Sequence, residues 1–309
     1  MIVHQHIDSF RAVNPVVTIG TFDGVHRGHK LVIEQLNRFA HEAHGESVLF
    51  SFYPHPRLVL FPNESNLRLI TTLNEKIALL EEAGVDHLVI YPFDKHFASL
   101  TYVEFIEQIL LSKLKMHTLV VGHDHKLGRN REGTFENIKL YSEGKGFGVK
   151  RIDSYTFEGN GVSSSKIRAA LSEGNLRVAN QYLGYNFSIR GMVTQGNKLG
   201  RSLGFPTANI VADDVHKLIP KTGVYAITAR VNQTLYKGML NIGFRPTVST
   251  NADHRTIEAH LLNFKDDIYN QNILISLHAR VRDEKKFSSV EQLKQQLEKD
   301  EQVVRSILK

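Results

Sequence analysis

The residues best suited to chemistry lie at positions 20–29, Gly-Thr-Phe-Asp-Gly-Val-His-Arg-Gly-His. β-Branched residues at positions 16–19 predict a buried strand directly before them. Apolar residues at helical spacing follow His29, so a helix should begin near Gly28. A strand–loop–helix turn offers a phosphate unpaired backbone N–H groups and the positive end of the helix dipole. These positions therefore predict a phosphate site.

Two histidines in this segment could act on the bound phosphate. His26 and His29 are three residues apart, so they should share one face of the first helical turn. Two imidazoles directed at one anion can stabilise the charge that develops on a phosphate under attack. The alternative is a glycine-containing turn with two solvent-exposed histidines, which the strand before it and the helix after it disfavour.

Three further polar clusters occur in the first half of the chain. Phe-Tyr-Pro-His-Pro at 52–56 should end the second predicted strand, and the polar run at 122–130 should follow the fourth. Ser-Ser-Ser-Lys-Ile-Arg at 163–168 should open a helix, where hydroxyl and N–H groups backed by two cations could hold a phosphate. Taken alone, the first cluster is more typical of a turn and the third of a helix cap. The His-Asp-His in the second lacks a fourth ligand at zinc spacing.

Another group of candidates spans positions 191–209. Its glycines, with Lys198 and Arg201, could wrap a polyphosphate, and Thr207 and Asn209 carry oxygens suited to Mg²⁺. It is not a Walker A loop, because asparagine stands where that motif requires lysine. Taken alone, this stretch is more typical of an ordinary loop of a barrel.

Glu258 has two interpretations. It lies in a predicted strand at 256–262, where alternation puts it on a polar face with Thr256 and His260. Without further context, such a carboxylate is most often only solvated. Other polar segments lie before and after this strand, at 241–247 and 282–287. Whether Glu258 is only solvated or takes part in catalysis therefore depends on the motifs around it.

The secondary structure predicted to position these residues differs between the two halves of the chain. The first half alternates predicted strands and helices, which indicates a parallel, doubly wound α/β sheet. Ligands of such sheets bind beyond the carboxyl ends of the strands, where positions 20–29 should lie. The predicted strands are 16–20, 47–53, 87–91, 117–121 and 148–153, with helices at about 28–42, 72–83, 101–113 and 134–142.

The second half contains predicted strands with no helix between them, a pattern typical of an antiparallel sheet or small barrel. An amphipathic helix at about 289–308 ends the chain, and Ser288 with Glu291 predicts a capping box at its start. We therefore predict two domains, 1–183 and 184–309. The predicted strands of the second lie near 187–194, 223–232, 235–241, 256–263 and 272–282.

Composition narrows the class of protein. The 309 residues include 38 basic and 32 acidic side chains, a formal charge of +6. These charges are interspersed, which suits small anionic substrates better than nucleic acid. The chain has no cysteine, which excludes disulfides and thiolate chemistry. No apolar run approaches the ~20 residues of a membrane span. We expect a cytoplasmic protein without nucleic-acid or membrane partners; its oligomeric state cannot be read from the sequence.

In their order along the chain, the first-half clusters resemble the adenylyltransferase module of prokaryotic bifunctional riboflavin kinase/FAD synthetases. That module carries Gly-x-Phe-Asp-Gly-Val-His-x-Gly-His, Pro-His-Pro, Val-Gly-x-Asp with a following Gly-Arg, and Ser-Ser-Thr-x-Ile-Arg. Ser165 replaces the usual threonine but keeps the hydroxyl, while His125 and Leu127 stand where aromatic residues are common. The resemblance implies a Rossmann-like nucleotidyltransferase domain in which His26 and His29 stabilise charge on the α-phosphate of ATP.

The same resemblance implies two sets of binding residues in this module. Those implied to bind ATP and its phosphates are Gly20, Phe22, Asp23, Gly24, Gly28, Ser163, Ser164, Ser165 and Arg168. Those implied to bind the flavin are His55, Pro56, Asp124 and Arg129.

The second-half motifs Gly-Phe-Pro-Thr-Ala-Asn, Asn-Ile-Gly-x-Arg-Pro-Thr and Glu-Ala-His resemble the riboflavin kinase domain, a six-stranded antiparallel β-barrel. This resemblance implies that Thr207 and Asn209 hold Mg²⁺ with ATP and that Glu258 is the base that activates the riboflavin hydroxyl. The residues implied to bind ATP are Gly196, Lys198, Gly200, Arg201, Pro206 and Asn241. Those implied to bind the flavin are Arg282, Glu284 and Phe287.

The implied reactions are phosphorylation of riboflavin by ATP in the C-terminal domain, then adenylylation of FMN to FAD, with release of pyrophosphate, in the N-terminal one. Both should need Mg²⁺ with ATP and no tightly bound cofactor. One alternative is an adenylyltransferase for another acceptor such as phosphopantetheine, which the kinase motifs disfavour. The other is a basic flavin- or RNA-binding regulator without turnover, which the intact candidate catalytic residues disfavour.

Overall fold

The computed structural model describes residues 1–62, 66–122, 126–152, 156–157, 160–196, 200, 203–244 and 255–309. Contacts along the chain separate two compact units. The first comprises Met1–Leu67 and Leu73–Ser163, and the second comprises Arg68–Thr72 and Ser164–Lys309. The domain boundary predicted between residues 183 and 184 stays a prediction. None of the helices in the described ranges combines the length and apolar character needed to cross a membrane.

The first unit contains a six-stranded parallel sheet, which confirms the predicted α/β architecture. Its strands lie in the order β1-β4-β3-β2-β5-β6. The short edge strand β1 was not predicted. The strands are β1 (Ile2–His4), β2 (Val16–Ile19), β3 (Ser47–Tyr53), β4 (His87–Pro92), β5 (Thr118–Gly122) and β6 (Gly148–Ile152).

The direction of winding reverses at β2. The chain adds β3 and β4 on one side of β2, then adds β5 and β6 on the other. In open α/β sheets, ligands bind in the crevice beyond the carboxyl ends of the strands at such a reversal. The segment at 20–29 follows β2 directly, so the fold places it at that crevice.

Helices cover both faces of this sheet. Val16 of β2 packs in one cluster with Leu36 and Ala40, while its neighbour Val17 packs in another with Ile106. Burial on both faces explains why β2 is apolar throughout rather than alternating. The helices are α1 (Arg27–Glu42), α2 (Pro56–Leu60), α3 (Leu73–Glu82), α4 (Lys95–Ser99), α5 (Tyr102–Phe105, continued by a π-helical turn, Ile106–Leu111) and α6 (Phe135–Ser142), with a 3₁₀ turn at Arg129–Arg131. A short antiparallel pair, β7 (Thr156–Phe157) and β8 (Asn160–Gly161), completes the elements of the unit.

The second unit begins with two helices, α7 (Ser164–Glu173) and α8 (Leu176–Leu183), and continues as a closed antiparallel barrel. The barrel order is β10-β13-β12-β11-β14-β9, which confirms the expected six strands. Strand β10 was missed because it shows no regular alternation: only Ile210 of its five residues is buried. The strands are β9 (Ser188–Thr194), β10 (Ala208–Ala212), β11 (Gly223–Val231), β12 (Thr234–Phe244), β13 (Arg255–Leu261) and β14 (Asn272–Arg282).

The segment Arg68–Thr72 pairs with the loop before β11, within the second unit. The Leu69 N–H donates to the His216 carbonyl at 2.7 Å, and the Leu218 N–H donates to the Leu69 carbonyl at 2.7 Å. The buried Lys217 ammonium donates to the Ile70 carbonyl at 2.7 Å. A segment early in the sequence is therefore part of the unit that contains the barrel.

The terminal helix α9 (Val290–Ile307) packs on the barrel. Its N-cap is Ser289, whose hydroxyl accepts from the Gln292 N–H, so the capping box predicted at Ser288 was wrong by one residue. Arg282 at the end of β14 makes a bidentate pair with Asp300 of α9, with an Nη2–Oδ2 distance of 2.7 Å. Asp300 is only 2% exposed, so this pair is largely removed from water.

We predict that Asp300→Ala lowers the free energy of unfolding of the second unit by roughly 2–3 kcal/mol, because Arg282 would keep a partly buried charge without its carboxylate. The matched control is Glu301→Ala, which removes the partly exposed partner of the exposed Arg305 and should cost no more than about 0.5 kcal/mol. Chemical denaturation followed by circular dichroism measures both. Equal costs for the two variants would contradict the structural role of the Arg282–Asp300 pair.

Candidate active sites

The turn between β2 and α1 holds unusual backbone conformations. Phe22 and Val25 have φ values of 49° and 33°, in the left-handed region that L residues rarely adopt. Gly24, with φ of 88°, takes a conformation that glycine tolerates without strain. Both Phe22 and Val25 are buried. A strained, buried turn at the sheet crevice fits a functional site better than an ordinary connection.

His26 and His29 have different structural roles. His26 is the N-cap of α1, and its Nδ1 accepts from the His29 N–H at 3.3 Å. Because Nδ1 accepts, a neutral His26 carries its proton on Nε2. The two imidazoles stack with centroids 3.7 Å apart. The structure therefore brings the two predicted histidines together at the first turn of α1.

The surroundings of His29 keep its ring neutral. Burial, followed by the neighbouring His26 and the Lys76 ammonium, holds the pKa of His29 well below its usual value. Its Nδ1 is inaccessible to solvent and has no hydrogen-bond partner among the described residues. The ring also lies 4.9 Å, centroid to centroid, from Phe22. His29 is thus a desolvated imidazole that can exchange a hydrogen bond with a ligand but resists becoming a cation.

Two glycines of the motif are packed closely against side chains of the same turn. A Cβ atom at Gly20 would lie 2.9 Å from Cε2 of Phe22. A Cβ atom at Gly28 would lie 3.2 Å from Cε1 of His26. Close packing of Phe22 and His26 against the backbone therefore accounts for part of the glycine pattern that the sequence presents. Asp23 is also buried in this turn.

The candidate flavin residues of the first unit are less fully described. His55 is the N-cap of α2, where its Nδ1 accepts from the Arg57 N–H at 3.2 Å, and Pro56 is the first helical residue. The Arg129 N–H donates to the Leu100 carbonyl at 2.8 Å, at the start of the 3₁₀ turn. Asp124 lies outside the described residues. These positions are structural caps and turns whose flavin contacts stay a prediction.

The serine cluster spans the division between the units. Ser163 ends the first unit, whereas Ser164 and Ser165 open α7 of the second. In the second unit, Arg168 Nε donates to the Arg68 carbonyl at 2.8 Å. The predicted helix start is confirmed, and the phosphate contacts of these residues stay a prediction.

In the second unit, a cavity of about 250 Å³ opens beside Glu258. It brings together side chains and backbone from segments that are far apart in the sequence. Seven of the predicted kinase residues line it: Gly200, Thr207, Asn241, Glu258, Arg282, Glu284 and Phe287. Lys198 and Arg201 lie outside the described residues. The cavity therefore collects most of the described candidates at one place.

Glu258 sits in the middle of β13, between two asparagines. In the sheet register it pairs with Asn209 of β10 on one side and Asn241 of β12 on the other. The Thr207 hydroxyl donates to Glu258 Oε2 at 3.5 Å, and the His260 imidazole hydrogen-bonds the Pro206 carbonyl at 2.8 Å. The half-buried carboxylate is thus surrounded by polar groups that hold the Pro-Thr-Ala-Asn strand against it.

Oxygen atoms near Glu258 fit a small, hard cation. Thr207 contributes a hydroxyl, Asn209 an amide carbonyl and Glu258 a carboxylate, which are the donor types Mg²⁺ prefers. Gly196 lies close to this group: a Cβ atom there would fall 1.9 Å from the Asn209 amide nitrogen. Within the described residues, no group of three or more His, Cys, Asp or Glu side chains is arranged to hold a metal ion.

The rest of the cavity wall is apolar and includes residues that the motifs did not indicate. Leu293 and Leu297 of α9 line it, together with Phe205, which precedes β10, and Met239 of β12. The sequence signal was the amphipathic face of the terminal helix, interpreted as a packing surface only. An apolar wall with a carboxylate beside it suits a ligand that is largely apolar and carries a few polar groups.

A Rossmann-like unit with a histidine-bearing turn, followed by a six-stranded barrel with a carboxylate cavity, defines a two-domain nucleotide-using transferase. A FAD synthetase family model matches residues 11–166, and a riboflavin kinase family model matches residues 183–308. The chain belongs to the family of bifunctional riboflavin kinase/FMN adenylyltransferases.

Individual relatives support this assignment over nearly the whole chain. The bifunctional riboflavin kinase/FMN adenylyltransferase of Bacillus subtilis is 36% identical over 96% of this chain and 94% of that protein. The enzyme of the same name from Listeria monocytogenes is 37% identical over 97% of this chain and 94% of its own. A crystal structure described as a macrolide-efflux protein from Streptococcus pneumoniae is 31% identical, with a TM-score of 0.89 over 98% of both chains.

Proposed function

We propose that the chain makes FMN from riboflavin and ATP in its second unit and FAD from FMN and ATP in its first. The observation that carries this proposal is the cavity beside Glu258, which joins an apolar wall to a carboxylate and to Thr207, one of the two candidate Mg²⁺ ligands. A kinase for a flavin needs these features together. Membership of the family is the basis for assigning the second reaction, adenylylation of FMN, to the first unit. We assign its candidate residues to the turn between β2 and α1.

In the kinase reaction, the riboflavin hydroxyl attacks the γ-phosphorus of ATP, Glu258 accepts its proton, and ADP leaves as the bond from the γ-phosphorus to the bridging oxygen breaks. Thr207 and Asn209 supply oxygens for Mg²⁺, which neutralises polyphosphate charge when bound. Phosphoryl transfer depends mainly on positioning and on charge neutralisation, so the protein needs no covalent step. The Asn209 and Asn241 neighbours fix Glu258 by strand register, which supports its assignment as a base held in position before substrate arrives.

In the adenylylation, a phosphate oxygen of FMN attacks the α-phosphorus of ATP and pyrophosphate leaves. The N–H groups at the start of α1 and the neutral His29 ring stabilise the growing negative charge. His26 caps the helix and holds its first turn. The roles of Gly20, Phe22, Asp23, Gly24 and the serine cluster in holding ATP are part of this proposal.

The remaining assignments follow from the same reactions. Mg²⁺ arrives with ATP, and no tightly bound cofactor is required. The net positive charge attracts the anionic substrates. We further propose a cytoplasmic location, where both nucleotides are available, with no nucleic-acid or membrane partner.

We predict that His29→Ala lowers the rate of FAD formation from FMN by about 10²–10³, the usual loss for one preorganised group that stabilises charge. FMN formation from riboflavin should be unchanged, because that chemistry lies in the other unit. His96→Ala, which removes an exposed histidine of α4, is the matched control. Chromatographic separation of FMN and FAD measures both rates. Equal loss of the two activities would assign His29 a folding role instead.

We predict that Glu258→Gln lowers riboflavin phosphorylation by about 10²–10⁴, because the amide keeps the shape of the side chain but cannot accept the hydroxyl proton. Riboflavin binding and FAD formation from supplied FMN should continue. Glu298→Gln, at an exposed position of α9, is the control for a changed carboxylate outside the cavity. Wild-type phosphorylation by the Glu258 variant would exclude this residue as the base.

A further inference from the structure

Lys76 is a buried lysine that none of the sequence motifs contains. It lies on α3, is 7% exposed, and shares the inward face of that helix with the buried Leu80. Its ammonium donates to the Ser51 hydroxyl at 2.9 Å and to the Thr21 carbonyl at 3.3 Å. The Ser51 hydroxyl also donates to the Thr21 carbonyl, at 3.4 Å. Helix α3, strand β3 and the turn after β2 therefore meet at one carbonyl group.

The Thr21 carbonyl lies at the start of the strained turn. It belongs to the peptide group that leads into Phe22, whose φ is 49°, and Val25 with φ of 33° follows three residues later. Such conformations persist only where the surrounding structure fixes them, because each costs of the order of 1–3 kcal/mol. The two hydrogen bonds to the Thr21 carbonyl fix the entry to this turn.

The ammonium is also a charge within the site. Burial lowers the pKa of Lys76 to about 8, and the nearby Asp23 carboxylate opposes that shift. On α1, the Lys76 charge adds to burial and to His26 in lowering the pKa of His29. The titratable groups around Lys76 are thus Asp23 of the turn and His29 of α1. Near neutral pH this arrangement keeps a protonated lysine beside a neutral His29.

We propose that Lys76 is a positioning residue of the adenylyltransferase site, which holds the turn at 21–25 in its phosphate-binding conformation through Thr21 and Ser51. The inference rests on the proposed function, which places adenylylation at this turn. Lys76 acts through its hydrogen bonds to Thr21 and Ser51, so it needs no contact with substrate. When it loses its proton, the charge-assisted bond to Thr21 and the positive charge near His29 are both lost.

The test compares the full chain carrying Lys76→Met with wild type. Lys139→Met, at an exposed position of α6, is the matched control. FAD formation from FMN is measured as kcat/KM for ATP between pH 6 and 10, since this ratio reports ionisations of the free enzyme. Riboflavin phosphorylation by the same preparations is the internal control, and thermal melting by circular dichroism reports folding.

We expect wild type and Lys139→Met to lose FAD synthesis as pH rises through about 8. Lys76→Met should form FAD about 10- to 100-fold more slowly near neutral pH, the usual loss when a supporting contact is removed. Its rate should also lack the fall at high pH. Burial that depresses a lysine pKa costs stability below that pKa, so the variant should keep its melting temperature. Riboflavin phosphorylation should be unchanged.

The inference would be overturned by a Lys76→Met protein with wild-type FAD synthesis. It would equally be overturned if the rate of this variant still fell near pH 8. If this variant fails to fold, Ser51→Ala is used as the test instead. This change keeps the ammonium of Lys76 and removes only the bridging hydroxyl. That variant should lose roughly 3- to 10-fold in FAD synthesis, consistent with loss of one hydrogen bond, and no loss would overturn the inference. Absence of FAD synthesis in wild type would instead refute the proposed function itself.

Discussion

The pairing register of β13 is the constraint on which the proposed kinase site depends. Successive side chains of a strand point to opposite faces, so a slip of one residue would exchange Glu258 for Ala259 at the cavity. The register is held on both sides, by β10 and by β12. Apolar residues on the opposite face, Ile257 and Leu261, are buried and would be exposed by any slip. Core packing therefore positions the carboxylate, and the polar neighbours then determine what it can do.

In the first unit, a turn rather than a strand holds the candidate functional groups in position. Reversal of the strand order opens a crevice beside β2, and the chain enters it in a backbone conformation that is unfavourable by itself. Burial of Phe22, the capping of α1 by His26 and the contacts of Lys76 with Thr21 compensate for that strain. The two units thus hold their candidate functional groups in place through close packing and hydrogen bonds, which come from the motifs themselves and, at Lys76, from a residue outside them.

Much of this arrangement could be predicted from the sequence, because the motifs coincide with strong local patterns. The β-branched run before Gly20 and the apolar spacing after His29 predict the strand and helix that flank the turn. Alternation around Glu258 predicts its polar face. The short strands β1 and β10 were missed, since β1 buries none of its residues and β10 buries only Ile210, which leaves no periodic signal.

What could not be predicted depends on contacts between distant segments. Lys76 occupies an apolar position of its helix, three residues after Leu73 and four before Leu80, yet its partner Thr21 lies 55 positions earlier. Asp300 looks like a solvent-facing residue of a charged helix, and only the tertiary structure brings Arg282 to it. The pairing of Leu69 with the 216–218 segment has no local signature at all.

The central claim is that one chain carries out two successive transfers at two separate sites. The most direct measurement is a time course of riboflavin, ATP and Mg²⁺ with the full chain, in which FMN and FAD are separated by chromatography. The account predicts that FMN appears first, that FAD follows at its expense, and that omission of Mg²⁺ stops both. FAD that forms from riboflavin while no kinase activity can be detected would contradict it.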